Sequence, residues 1–192
     1  MREAPLPRLF VAAGTKRGLW SLAALTLLSG AAMLPAMRTM GDHGASLIAF
    51  ESAGSVSRSQ EIVTEWGSAG KSAMWWQLAL DTPFLIGYGL FLAGACAAVA
   101  RRARATERLR LERAAVVVAW LGPIAAAADL AQNVSLTLVL AGHVAQLWPR
   151  ISAIAGRTTT TLAVIAALFA LVGAFVTRKQ AGVAPARSDE IE

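Results

Sequence analysis

Two carboxylates, Asp81 and Asp129, sit inside long apolar runs of this chain. An aspartate near the middle of a membrane helix costs about 2.5–3.5 kcal/mol on insertion scales, so each must face other helices or water rather than lipid. Tyr88 follows Asp81 by seven residues and Asn133 follows Asp129 by four, spacings that keep each pair on one helix face. Counted inward from Trp75 and Ala141 at ~1.5 Å per residue, Asp81 lies roughly 9 Å deep and Asp129 roughly 18 Å deep. Two antiparallel helices would therefore set Asp81 level with Asn133, and Tyr88 level with Asp129. Gln132, Ser135 and Thr137 are near in sequence but need not share that face. Glu51, from the polar segment upstream, is a candidate cap over the cluster.

Such a cluster supports either of two roles. It can hold a ligand, relay a proton or act as acid and base, because two neighbouring carboxylates share a proton when one of them is held neutral. Equally, it can be plain interhelical hydrogen bonding, at about 0.6 kcal/mol per bond. Other chemistry finds less footing. A metal site would need His43 or His143 beside an aspartate, and neither histidine shows ligand spacing, so no metal and no cofactor is expected. No serine or cysteine occupies an activating motif. The single cysteine, Cys96, lies in an apolar run and reads as a packing residue, which excludes a disulfide framework. The Asn133-Val134-Ser135 sequon falls inside an apolar run and carries no glycosylation signal.

The elements that must position these residues follow from composition. The chain has 192 residues, 56% apolar and 16% charged, with a mean hydropathy of +0.53. A soluble domain carries about a quarter charged residues, so the class is an integral membrane protein. Spans are expected over about 18–37, 75–100, 114–141 and 158–177, each long enough for a ~30 Å hydrocarbon core. The tandem Trp75–Trp76 fits an interfacial belt. A cleaved signal peptide is the rival reading of the first run, disfavoured because Pro35 and Arg38 follow without a small-residue cleavage site. Between the first two spans, residues 45–66 mix Glu51, Glu61 and Glu65 with apolar residues at roughly helical spacing, interrupted at Gly54 and Ser55. They are read as an amphipathic helix on or in the outer face of the membrane. Ser and Gly at 67–72 mark a turn before the second span.

The fold class expected is thus all-α, a four-helix transmembrane bundle with an extracytoplasmic amphipathic helix. Residues 1–17 form a cytoplasmic N-terminus and 178–192 a disordered cytoplasmic tail. Of the 18 Lys and Arg, 13 lie in the N-terminus, the 101–113 loop and the tail, and 5 on the other side. Both termini are therefore placed in the cytoplasm. The net charge of +6 reflects this flanking pattern and not a nucleic-acid partner. The six arginines of 101–113 read first as a cytoplasmic anchor, with anionic headgroups as a secondary partner. Gly89, Ala93 and Ala97, and again Ala166, Ala170 and Ala174, recur every four residues and allow close helix approach, within the chain, to a second copy or to another membrane protein. The Ala- and Arg-rich composition points to a bacterial source, hence a bacterial plasma membrane.

Three stretches carry a family resemblance: Ala49-Phe50-Glu51 with Glu61-Ile62-Val63 and Trp66; Leu80-Asp81-Thr82-Pro83-Phe84 with Tyr88; and Asp129-Leu130-Ala131-Gln132-Asn133. They resemble a group of small bacterial four-span membrane proteins of unknown function with an acidic-aromatic loop helix, a Leu-Asp-x-x-Phe-x-x-x-Tyr span and an Ala-Asp-x-x-Glu-Asn span. Gln132 stands where that pattern has Glu, so no acid is read at 132. The resemblance implies topology and brings no activity. From the residues, the leading expectation is a non-catalytic inner-membrane protein that binds a small or lipidic ligand at Asp81, Tyr88, Asp129, Asn133 and Glu51. The alternatives are a membrane enzyme acting on a lipid or isoprenoid, and a proton-coupled transporter or its subunit.

Overall fold

The computed structural model describes residues 6–178, and among them the chain is helical with no strand. Seven helices follow in order: α1 (Arg8–Ala13), α2 (Lys16–Asp42), α3 (Leu47–Glu51), α4 (Val56–Ala105), α5 (Leu109–Val118), α6 (Leu121–Leu140) and α7 (Leu147–Arg178). Four units are long and apolar enough to cross a membrane: α2, α4, α5 with α6, and α7. The expected disordered tail, apart from Arg178, lies outside the described residues.

Serine and threonine caps set several starts. Thr15 accepts from Gly18 N at 3.0 Å ahead of α2, Ser46 from Ala49 N at 3.3 Å ahead of α3, and Ser55 from Arg58 N at 3.3 Å ahead of α4. Each satisfies one of the backbone donors a helix start leaves open. The third span divides at Ala119–Trp120 into α5 and α6. Pro123 has no N–H to offer the Ala119 carbonyl, and Trp120 N bonds three residues back to Val117 O at 3.2 Å, tighter than the α pattern. The arginine run expected as a loop over 101–113 is mostly helical, shared by the ends of α4 and α5. Within it Glu112 is buried and paired with Arg104 at 2.6 Å.

Helix α4 is the axis of the bundle, contacting every other helix. Small residues make this possible: Ala93, Cys96 and Ala97 are fully buried on it. A Cβ on Gly89 would come within 2.8 Å of the Ala126 Cβ of α6, so only glycine permits that approach. On the fourth span Ala166 is fully buried while Ala170 and Ala174 are half-buried. The outward faces are strongly apolar: Leu27 and Leu28 are 72% and 71% exposed, Leu171 69%. So continuous an apolar surface is what an interaction face for a membrane or another protein carries.

The helix expected over about 45–66, with an interruption at Gly54 and Ser55, is two pieces parted there. Helix α3 ends at Glu51, the chain turns through Gly54 at φ +67°, and residues 56–66 form the first limb of α4. The turn expected at 67–72 shrinks to one residue, Gly67 (φ +57°, ψ −153°), after which the helix resumes. This region is essentially glycine-only. The apolar face of the segment is also turned inward. Phe50, Ile62 and Trp66 are buried with Met40, Met74 and Leu136 in the largest core cluster. The Phe50 and Trp66 rings lie 4.9 Å apart, and Trp66 Nε1 donates to Ala45 O at 2.6 Å. The segment is thus a cap folded onto one end of the bundle.

Candidate functional site

Helix α4 presents Gln77, Asp81, Phe84 and Tyr88 at intervals of four, three and four, a single stripe along one face. Helix α6 runs antiparallel beside it and presents Asp129, Gln132 and Asn133. Asn133 Nδ2 donates to Asp81 Oδ2 at 2.5 Å, and Tyr88 Oη donates to Asp129 Oδ2 at 3.0 Å. Both interhelical pairs expected from the spacing are therefore present. Phe84 packs against Tyr88 with centroids 5.4 Å apart, which steadies the phenol.

The two carboxylates open onto a cavity of about 520 Å³ beneath α3. Tyr88 and Asn133 do not line it; they hold the carboxylates from behind. The walls come from five helices: Met33 and Met37 of α2, Leu47, Ile48 and Glu51 of α3, Gln77 and Asp81 of α4, Asp129 and Gln132 of α6, Gly156 and Arg157 of α7. Its size is that of a small-molecule site. Helices α2 and α7 both line it, yet α2 packs chiefly on α4 and α7 on α6, so the bundle is open between them.

The cap is stitched in place. Gln146, just before α7, accepts from Val56 N at 3.1 Å and donates to Gly54 O at 2.9 Å, clamping the turn between α3 and α4. Ser152 Oγ donates to Glu51 O at 3.0 Å, fixing the end of α3 against α7. Glu51 therefore projects into the cavity, which Gln132 also lines. Burial, and then the charges of Asp129 and Asp81, push Glu51 up from 4.5 to about 7. Gln132 reaches this position past Gly156, where any Cβ would stand 2.9 Å from Gln132 Oε1.

One polar atom is left over. Gln77 is 7% exposed and its Nε2 lies 3.1 Å from Met33 Sδ, while its Oε1 is buried with no partner. Flipping the amide would aim the oxygen at the thioether sulfur, a poor acceptor–acceptor contact, so this orientation is the better one. A buried orphan acceptor costs about 1–3 kcal/mol. The lining thus offers three carboxylates and an amide oxygen against one guanidinium, that of Arg157. Such a surface favours a donor-rich or cationic guest. Among the described residues no three His, Cys, Asp or Glu side chains are grouped to hold a metal ion, and neither His43 nor His143 lines the cavity.

The structure brings together all five residues singled out from sequence: Asp81, Asp129 and Glu51 on the cavity, Tyr88 and Asn133 behind it. Sequence reasoning missed Gln77 and Arg157 and left Gln132 without a role. A glutamine directly after Trp75–Trp76, at the head of an apolar run, was the available signal for the first. Comparison with protein-family models, curated proteins and solved structures finds no match for this chain.

Proposed function

We propose that this chain is a four-span membrane protein of a bacterial plasma membrane, with both termini cytoplasmic, that binds an amphipathic ligand with a cationic or donor-rich head in the cavity beneath α3. The observation that carries this reading is the convergence of Asp81, Asp129, Glu51 and the orphan Gln77 Oε1 on one cavity. Acceptors so concentrated recognise N–H or O–H donors, and a protonated amine satisfies several at once. Met33, Met37, Leu47 and Ile48 suit an attached apolar chain, which reaches the lipid phase through the opening between α2 and α7. The outward leucines and the flanking arginines support insertion and orientation.

The ligand class is tested on purified protein in a neutral maltoside detergent, comparing dodecylammonium, dodecanol and laurate below their micellar limits. Dodecylammonium is expected to raise the unfolding temperature of wild type and not of Asp81→Asn. Saturation at a hundred times Kd is worth about 2.7 kcal/mol. Equal stabilisation by laurate, or an undiminished effect in the variant, would overturn the reading. Orientation is tested by labelling Ser57→Cys in intact cells with an impermeant maleimide; failure to label would place this cap inside. A proton-coupled carrier is the second reading, favoured by the Glu51 carboxyl that exchanges its proton near neutrality at the mouth of the same cavity.

A further inference from the structure

The end of the bundle opposite α3 carries a second concavity with the reverse character. Helix α1 folds back on α4, and the start of α2 runs beside the end of α4, leaving a groove of about 770 Å³. Its rim holds Lys16, Arg101, Arg102 and Arg178, and among the described residues no carboxylate lines it. Below the rim the wall is apolar, including Trp20, which is 70% exposed, and Phe91. Arg101 is held at the mouth by two of its five donors, Nη1 to Val11 O at 3.3 Å and Nη2 to Gly14 O at 2.5 Å, so its planar fork is fixed and not swinging in solvent.

The groove is graded along its length. From Lys16 to Ala23 on α2 it descends roughly 10 Å, and from Arg101 to Phe91 on α4 roughly 15 Å, at ~1.5 Å per residue. Four cations sit at the top and only apolar or small side chains below. That is the profile of a phosphate followed by glycerol and the first carbons of an acyl chain. Soluble phosphate would use the rim alone and leave Trp20 and Phe91 without a role.

We propose that this groove is a binding site for an anionic phospholipid, with the phosphate on Lys16, Arg102 and Arg178 and one acyl chain along Trp20 and Phe91. It shares with the functional reading only the insertion of the chain in a membrane, and is independent of the acidic cavity. Reconstitution in nanodiscs of phosphatidylcholine establishes insertion first. Lipid retention is then measured by native mass spectrometry on the full chain, titrated with phosphatidylglycerol, phosphatidylcholine or inorganic phosphate. Phosphatidylglycerol is expected to bind well above phosphatidylcholine, with phosphate a poor competitor. The double variant Lys16→Gln/Arg102→Gln is expected to lose roughly 30-fold in affinity, at roughly fivefold per cation. Arg178→Gln, at an exposed helix end, is expected to lose roughly fivefold and serves if the double variant does not fold. Arg110→Gln, an equal charge change outside the groove, is expected to leave affinity unchanged. An equal loss in Arg110→Gln would show undirected attraction to the basic end. Phosphate competing at the lipid's own affinity would make the ligand soluble, and equal retention of both lipids would remove charge recognition. Each of these three results overturns the proposal.

Discussion

Replacing Glu51 by glutamine removes an acid outside the spans that the fold forces to hold its proton near neutrality. In the unfolded chain this carboxyl titrates at 4.5; in the folded protein it titrates at about 7, through burial and then the negative charges of Asp129 and Asp81. Between those two values the folded state binds more protons than the unfolded one, so stability falls as pH rises through that window. At ~1.36 kcal/mol per pH unit the full loss is at most about 3 kcal/mol. Below pH 4.5 both states are protonated and the loss vanishes. Glu51→Gln keeps the shape but cannot ionise. Its stability is expected to lie within about 1 kcal/mol of wild type near pH 5 and to exceed it near pH 8 by up to about 3 kcal/mol. At ~2–4 °C per kcal/mol for a chain of this size, that is roughly 6–12 °C in unfolding temperature. The assay is thermal unfolding in detergent from pH 5 to pH 8, read by tryptophan fluorescence. Subtracting variant from wild type isolates the contribution of the Glu51 carboxyl. Two parallel curves would refute the reasoning, because they would mean the carboxyl is solvated and α3 does not close the cavity.

Three further outcomes follow from the same geometry. Gln77→Leu removes the orphan acceptor and is expected to stabilise the ligand-free protein by ~1–3 kcal/mol while abolishing the dodecylammonium shift; destabilisation in chemical unfolding would mean Oε1 already has a partner. Gly67→Ala is expected to cost about 1–3 kcal/mol through backbone strain alone, since nothing lies within 4 Å of the added Cβ; a loss under about 0.5 kcal/mol would show that the kink relaxes freely. Tyr88→Phe and Asp129→Asn, combined in a double-mutant cycle, are expected to couple by about 0.6 kcal/mol, a typical interhelical hydrogen bond. Zero coupling would separate the phenol from the carboxylate.

How much of this was readable from the chain differs by element. Apolar run length gave four units of spanning length, because hydrocarbon thickness sets a minimum that composition reveals directly. Helical periodicity put Asp81 with Tyr88, and Asp129 with Asn133, on common faces, and antiparallel succession then implied their pairing. The cap was harder. Gly54 and Ser55 signal a break locally, but Gly67 beside Ser68 reads as a loop; burial of Trp66 against Ala45 and Phe50 is what lets the helix resume after one residue. Whether that segment's apolar face meets lipid or protein is likewise invisible to periodicity, which reports that a face exists and not what covers it.

The cavity needed the tertiary structure entirely. Glu51, Gln77, Asp129 and Arg157 come from four helices, and no spacing in one dimension relates them. Sequence alone determined four helices of spanning length and the two hydrogen-bonded pairs, since both follow from helix length and from the repeat of a single helix or an adjacent pair. Packing decided that Gln132 lies against Gly156, that Gln77 keeps an unmatched oxygen, and that three carboxylates line one cavity. Those depend on how five helices cross, and crossing is settled by the fit of small side chains at distant contacts such as Gly89 with Ala126.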